Sequence, residues 1–244
     1  MSETPLFFRI ARPTYGRWLR RKFRISTEGY EKIPQTGPLL LLANHAHTLD
    51  PFLISATFNR NVRWVAGAHL FKFYLLRKLL ESWVKSISKQ QGRSDLDTIK
   101  SISKAFKEGG VVGLFPEGTR TWDGEPMGFD ISTAKLVRLF KVPVLILNLE
   151  GAYALKPRWA KRGRKGSMVI RVKRFISVEE LAEMKLKEID EALQEGLGFD
   201  FNTWQAKAQI PYIYKRKAEG VEKLLYLCPA CNQSPTIKSN RDKI

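Results

Sequence analysis

Short runs that are apolar at every position alternate with segments of helical period through the middle of this chain. That alternation restricts the fold more than any other feature. Residues 39–43 read as a strand buried on both faces. Residues 111–115 repeat the pattern, 142–149 do so apart from Asn148, and 62–66 and 168–176 read as further strands. Between them, Asp50-Pro51 opens a helix, with Asp at the N-cap and Pro at the first helical position. Residues 70–84 read as a helix. Residues 95–107 form another, with Leu96, Ile99, Ile102 and Phe106 at helical spacing and Gly109-Gly110 as its stop. A helix over 132–140 precedes the strand at 142. Ser177-Val178-Glu179-Glu180 is a capping box that starts an acidic helix reaching about Gln194. The fold class that follows is α/β, a mixed, largely parallel central sheet covered by helices on both faces. With 244 residues the chain makes one or two domains and can bury a sizeable core.

In an open α/β sheet, ligands bind beyond the carboxyl ends of the strands, so the loops there matter most. The first carries Asn44-His45-Ala46-His47-Thr48-Leu49-Asp50. A neutral imidazole can take a proton from an attacking hydroxyl, and a carboxylate on its far nitrogen fixes the tautomer. His45 and Asp50 fit those roles if the loop folds back. Taken alone, they read more readily as a core histidine and a helix cap. The second loop carries Phe115-Pro116-Glu117-Gly118-Thr119-Arg120. Gly118 lets the backbone approach a ligand. Arg120 offers a planar fork of donors for a phosphate, Thr119 adds a hydroxyl, and Glu117 can orient the Arg or bond a substrate hydroxyl.

His45-x4-Asp50 followed about 65 residues on by Phe-Pro-Glu-Gly-Thr-Arg resembles the glycerolipid acyltransferases, the 1-acyl-sn-glycerol-3-phosphate acyltransferases and their relatives. The likeness runs from about residue 25 to 180 and includes Asp50-Pro51-Phe52, Asp123-Gly124-Glu125 and Val142-Pro143-Val144. It implies that His45 is the general base and Asp50 its support. The donor would be acyl-coenzyme A or acyl-carrier protein, and the acceptor a hydroxyl of lysophosphatidate or a related lysophospholipid. Glu117, Gly118, Thr119 and Arg120 would bind the acceptor's phosphate. His47 competes weakly for the base role. No cofactor is required. Two departures bear on the acceptor. The family's Gly-x-Ile-Pro-Val-Asp-Arg motif aligns with residues 83–89, where Lys89 replaces the phosphate-binding Arg, and Asp130 stands where the family often has Lys. The implied organisation is a membrane-surface segment over 1–25, the acyltransferase domain over 26–212 and a C-terminal extension over 213–244.

Charge then indicates partners. Lys and Arg total 42 against 24 Asp and Glu, a net charge of +18, which calls for an anionic partner. Residues 5–25 interleave seven basic side chains with Phe7, Phe8, Ile10, Tyr15, Trp18 and Phe23. The segment suits an anionic membrane surface, or is a helix packed on the domain with a solvated basic face; Pro13 should break it in two. Residues 151–176 hold nine cations and no acid, suited to lipid headgroups, coenzyme A phosphates or an acidic carrier. No apolar run outlasts residues 38–43, far short of the roughly 20 a membrane span needs. Arg9, Arg12 and Arg17 make the start unlike a signal peptide. The expected location is cytoplasmic, peripheral at the inner face of the membrane. Cys228-Pro229-Ala230-Cys231 is half a zinc ribbon, and no further Cys or His follows it, so a complete zinc site within one chain is not expected. A basic nucleic-acid-binding protein with a zinc-knuckle fragment is the rival reading. It leaves both loop motifs without a role, so no nucleic acid is expected as a partner.

Overall fold

The computed structural model describes residues 6–67, 85–89, 96–234 and 236–244. A helical run opens the chain: α1 (Leu6–Ala11), a π-helical turn (Arg12–Gly16) and α2 (Arg17–Lys22). The break expected at Pro13 is therefore a local widening of the helix. A π turn accommodates a proline ring and its missing N–H without ending the run. The run lies on α3 (Asp50–Thr57), with Gly16 and Leu19 facing inward. An added Cβ at Gly16 would touch the Ala56 Cβ at 3.4 Å, the close approach that a residue without a side chain permits.

Seven strands form one sheet: β1 (Ile25–Glu28), β2 (Leu39–Ala43), β3 (Val62–Gly67), β4 (Ile87–Lys89), β5 (Val111–Leu114), β6 (Val144–Glu150) and β7 (Met168–Ile176). The order is β1-β7-β6-β2-β5-β3-β4. All neighbours pair in parallel except β6 and β7, which are antiparallel. The five strands from β6 to β4 thus end on one side of the sheet. β7 and β1 run the opposite way, and Arg171 on β7 joins them to β6 by pairing with Glu150 at 2.7 Å and with Glu28.

Alternation along the strands divides the core. Leu39, Leu41, Ala43, Leu145, Leu147 and Leu149 face α3 and the N-terminal run, meeting Leu53, Ile54, Leu19 and Phe23. Leu40, Leu42, Val112, Val144 and Ile146 face the other way. There they meet α4 (Leu96–Lys107) and α5 (Ser132–Phe140), and, after the short α6 (Ala152–Leu155) that packs on the first face, α7 (Val178–Glu183) and α8 (Leu186–Leu197). Both faces are covered, as the unbroken apolar strands require. Each fully buried Leu contributes about 1.5–3 kcal/mol.

The sequence misplaces some boundaries. The acidic helix expected up to Gln194 is two, α7 and α8, parted at Met184 and Lys185. The Ser177 hydroxyl accepts the Glu180 N–H at 3.2 Å, but the Glu180 carboxylate bonds Arg174 at 2.6 Å rather than completing the box. The edge strands β1 and β4 were not foreseen. The helix expected over 70–84 lies outside the described residues. The last α-helix among the described residues, α9 (Phe201–Ala208), is capped by Asp200, which accepts the N–H groups of Asn202 and Thr203.

Candidate active site

His45 follows the carboxyl end of β2 and Glu117 that of β5, its neighbour in the sheet. The loop after β2 does fold back. Asp50 is fully buried, and its Oδ2 accepts from His45 Nδ1 and from the backbone N–H groups of Ala46 and His47, each at 2.8 Å. Asp50 is accordingly the first residue of α3 and not its cap, with its carboxylate turned to the loop. An oxygen already receiving two N–H groups is an acceptor, so the proton sits on His45 Nδ1. That leaves the Nε2 lone pair outward, with no hydrogen-bond partner among the described residues.

Rings fix the imidazole from the side. His45 stacks on Phe115 at 4.2 Å between centroids, and Phe115 stacks on Trp64 at 4.9 Å. Gly113 makes room for this pile: a Cβ there would lie 2.7 Å from the Trp64 ring. The Trp64 indole N–H donates to Ser55 Oγ at 3.1 Å. Sequence reasoning assigned no role to Gly113 or Trp64, because a strand glycine and a core tryptophan carry no distinguishing pattern.

Glu117 faces inward. Its Oε1 accepts the His45 N–H at 2.9 Å and its Oε2 the Met127 N–H at 3.1 Å, which ties the two loops together. Burial raises its pKa, while the bonds from His45 and Met127 oppose that shift. Thr121 N–H donates to the His45 carbonyl at 3.0 Å, and Asn44 Oδ1 accepts the Leu149 N–H at 2.8 Å, anchoring the histidine loop to β5 and β6. Gly118 has φ of +67° with nothing within 4 Å of an added Cβ, so its backbone conformation, not space, selects glycine. Arg120 Nη1 donates to Thr48 Oγ1 at 2.9 Å.

His47 is buried, and its Nδ1 accepts the Leu49 N–H at 2.9 Å. Burial lowers its pKa, opposed by Asp50. It is a structural imidazole. Lys89 ends β4, exposed, on the same side of the sheet as His45 but three strands over in the order β2-β5-β3-β4. Asp130 accepts the Ser132 N–H at 2.7 Å in the turn just before α5, whose N-cap position is Ile131. A cation that sequence reasoning left inside the basic stretch, Arg158, reaches the site instead. Its Nη1 donates to Thr119 Oγ1 at 2.8 Å and to the Arg120 carbonyl at 3.1 Å.

Cys228 and Cys231 lie in a turn closed by Asn232 N–H to the Cys228 carbonyl at 2.8 Å, remote in sequence from the two loops. Backbone N–H groups of Cys231 and Ala230 lower the Cys228 thiol pKa. Among the described residues no group of three or more His, Cys, Asp or Glu side chains is arranged to hold a metal ion. Among the same residues no helix is long and apolar enough to cross a membrane.

The family model described as Acyltransferase matches residues 24–148. The chain is 24% identical over 137 residues to 1-acyl-sn-glycerol-3-phosphate acyltransferase LPAT1, chloroplastic, of Arabidopsis thaliana, covering 55% of this chain and 38% of that protein. It is 25% identical over 163 residues to the 1-acyl-sn-glycerol-3-phosphate acyltransferase of Saccharomyces cerevisiae, covering 65% and 54% respectively. The chain thus spans about half or less of the length of these curated relatives. Among solved structures it is similar to the 1-acyl-sn-glycerophosphate (LPA) acyltransferase PlsC from Thermotoga maritima, with a TM-score of 0.64, 20% identity and 84% of each chain covered. That likeness bears out the mixed, mostly parallel sheet.

Proposed function

We propose, from the premise that this chain belongs to the Acyltransferase family, that it is an O-acyltransferase acting on lysophosphatidate or a related lysophospholipid. The observation that carries the reading is the buried Asp50 bonded to Nδ1 of a partly exposed His45. With the proton held on Nδ1, Nε2 takes the proton of the acceptor hydroxyl. The oxygen attacks the thioester carbonyl of acyl-coenzyme A or acyl-carrier protein and forms the ester bond. The carbon–sulfur bond breaks, and the departing thiolate recovers the proton from the imidazolium. Asp50 stabilises that cation while it lasts. Glu117 holds the His45 backbone in register, and Arg120, Thr119 and Lys89 offer donors and charge to the acceptor's phosphate. No metal enters this scheme.

The surface also suits work at a lipid interface. Ile10, Tyr15 and Trp18 are exposed on the N-terminal run, 58%, 45% and 49% respectively, among exposed Arg9, Arg17, Arg20, Arg21 and Lys22. Exposed aromatic and aliphatic groups flanked by cations dock on anionic headgroups, and the anionic leaflet is the cytoplasmic one. We place residues 1–25 at that surface, the catalytic unit over 26–212 and the extension over 213–244. The direct test incubates purified protein with long-chain acyl-coenzyme A or acyl-carrier protein, a panel of lysophospholipids and glycerol 3-phosphate. Acylated lipid and free thiol in equal amounts are the expected result. Absence of product with every donor and acceptor, from folded protein, contradicts the reading.

A further inference from the structure

Arg120 and Arg158 bring two guanidinium groups together beside the strand ends. Among the described residues neither is paired with a carboxylate. Burial, and then repulsion from Arg158, lower the Arg120 pKa, opposed by the Asp50 carboxylate. The fold holds the like charges in place. Arg158 stacks over Trp122 at 4.2 Å and bonds Thr119 and the Arg120 carbonyl, while Arg120 bonds Thr48. The adjacent Trp159 is buried and donates to the Tyr153 hydroxyl at 3.0 Å, which in turn donates to the Trp122 carbonyl at 3.1 Å. This chain of bonds fastens the Arg158 loop to the Arg120 loop. Among the described residues every hydrogen bond of either guanidinium uses Nη1, so Nε and Nη2 of both remain available.

Two forks with no carboxylate in ion-pair contact among the described residues ask for a ligand of charge −2. A phosphate monoester supplies it near neutral pH, whereas a diester carries one charge and leaves one cation uncompensated. We propose that Arg158 joins Arg120 in a clamp for a phosphate monoester dianion, so that the site prefers monoesters to diesters. The inference rests on the acyl-transfer reading and sharpens its substrate class. Two substrates carry such a group: a lysophosphatidate acceptor and coenzyme A, through its 3′-phosphate. Thr121 N–H bonds the His45 carbonyl and Thr48 follows His45 closely, so the clamp adjoins the base. In the acceptor, the reacting hydroxyl and the phosphate sit on neighbouring glycerol carbons, a separation that suits this placement.

The test compares the full chain with Arg158→Gln and Arg158→Lys in steady-state acyl transfer. Acceptors are lysophosphatidate, a monoester, and lysophosphatidylglycerol, a diester; donors are palmitoyl-coenzyme A and its dephospho form. Arg158→Gln is expected to raise KM for lysophosphatidate about tenfold or more, with kcat little changed and KM for the diester unmoved. Arg158→Lys, which keeps the charge without the fork, should fall between. A KM rise confined to palmitoyl-coenzyme A and absent with the dephospho donor assigns the clamp to the donor instead. Equal KM changes for all four substrates, or a loss in kcat alone, overturn the clamp and leave acyl transfer standing. Wild-type protein inactive with every pair overturns the acyl-transfer reading. The clamp is then decided by calorimetric titration of glycerol 3-phosphate into wild type and Arg158→Lys at about pH 7.5 and about pH 5.5, either side of the second phosphate pKa near 6. Binding that weakens at the lower pH and in the variant supports it; binding equal in all four conditions refutes it.

Discussion

His45 and His47 share a loop, and burial with hydrogen bonding separates their roles. His45 has its Nδ1 tied down and Nε2 outward; His47 spends Nδ1 on the Leu49 N–H inside the core. Burial lowers the folded pKa of His47 below its ordinary 6.5, so the unfolded chain takes up a proton first as pH falls. Its contribution to stability is therefore intact above about 6.5. It is lost as pH drops from there toward the depressed folded value, by up to about 1.4 kcal/mol per pH unit. His47→Asn, whose amide oxygen can accept the same N–H, should flatten that slope in urea unfolding between pH 7.5 and 5.5. An unchanged slope would contradict this assignment. At this scale, the pairing of the His45–Asp50 loop with the Glu-Gly-Thr-Arg loop was legible because both motifs follow strands and are specific together, although neither is alone. Arg158 was not, since it is one of nine cations in its stretch and reaches the site only through a loop that other bonds position. The inward turn of Glu117 was equally hidden, because its partners are backbone N–H groups that any residue supplies.

Among the elements, the central strands were legible and the edges were not. β2 is apolar throughout and β6 is interrupted only by buried Asn148 and Glu150, because both faces are covered, whereas β1 is Ile-Ser-Thr-Glu and β4 is Ile-Ser-Lys. Short edge strands with one apolar residue carry no periodicity to read. The N-terminal run packs one face on the domain and leaves a basic, aromatic face exposed. Leu19 is buried against the domain, while Trp18 beside it is half exposed, stacked on Tyr15 at 5.4 Å and covered by Lys22 at 4.4 Å. Leu19→Ala should cost about 2–5 kcal/mol of folding stability. Trp18→Ala should leave stability within about 0.5 kcal/mol yet weaken sedimentation with anionic vesicles. Equal vesicle binding by Trp18→Ala would remove this face from the account. The C-terminal extension has a structural task of its own. Lys161 N–H bonds the Glu219 carbonyl, Arg164 bonds the Lys217 carbonyl, and Gly220 packs so close to the Trp159 carbonyl that a Cβ would lie 2.2 Å from it. It braces from behind the loop that carries Arg158.

For the whole molecule, a sheet with five co-directional strands gathers the loop ends of β2, β5 and β4 on one side, placing an oriented base and a set of cations together. On the proposed reading the excess of positive charge serves two surfaces, the N-terminal run for lipid headgroups and the strand-end cluster for a phosphate. Membership in the Acyltransferase family joins these parts, and the claim on which they all depend is that His45, oriented by Asp50, deprotonates the acceptor. The most direct measurement is single-turnover acyl transfer by wild type, His45→Ala and Asp50→Asn, each first matched for thermal unfolding. The account predicts no detectable transfer by His45→Ala and a loss approaching about 10⁴-fold in Asp50→Asn, whose amide no longer enforces the required tautomer. Transfer by folded His45→Ala at the wild-type rate would contradict it.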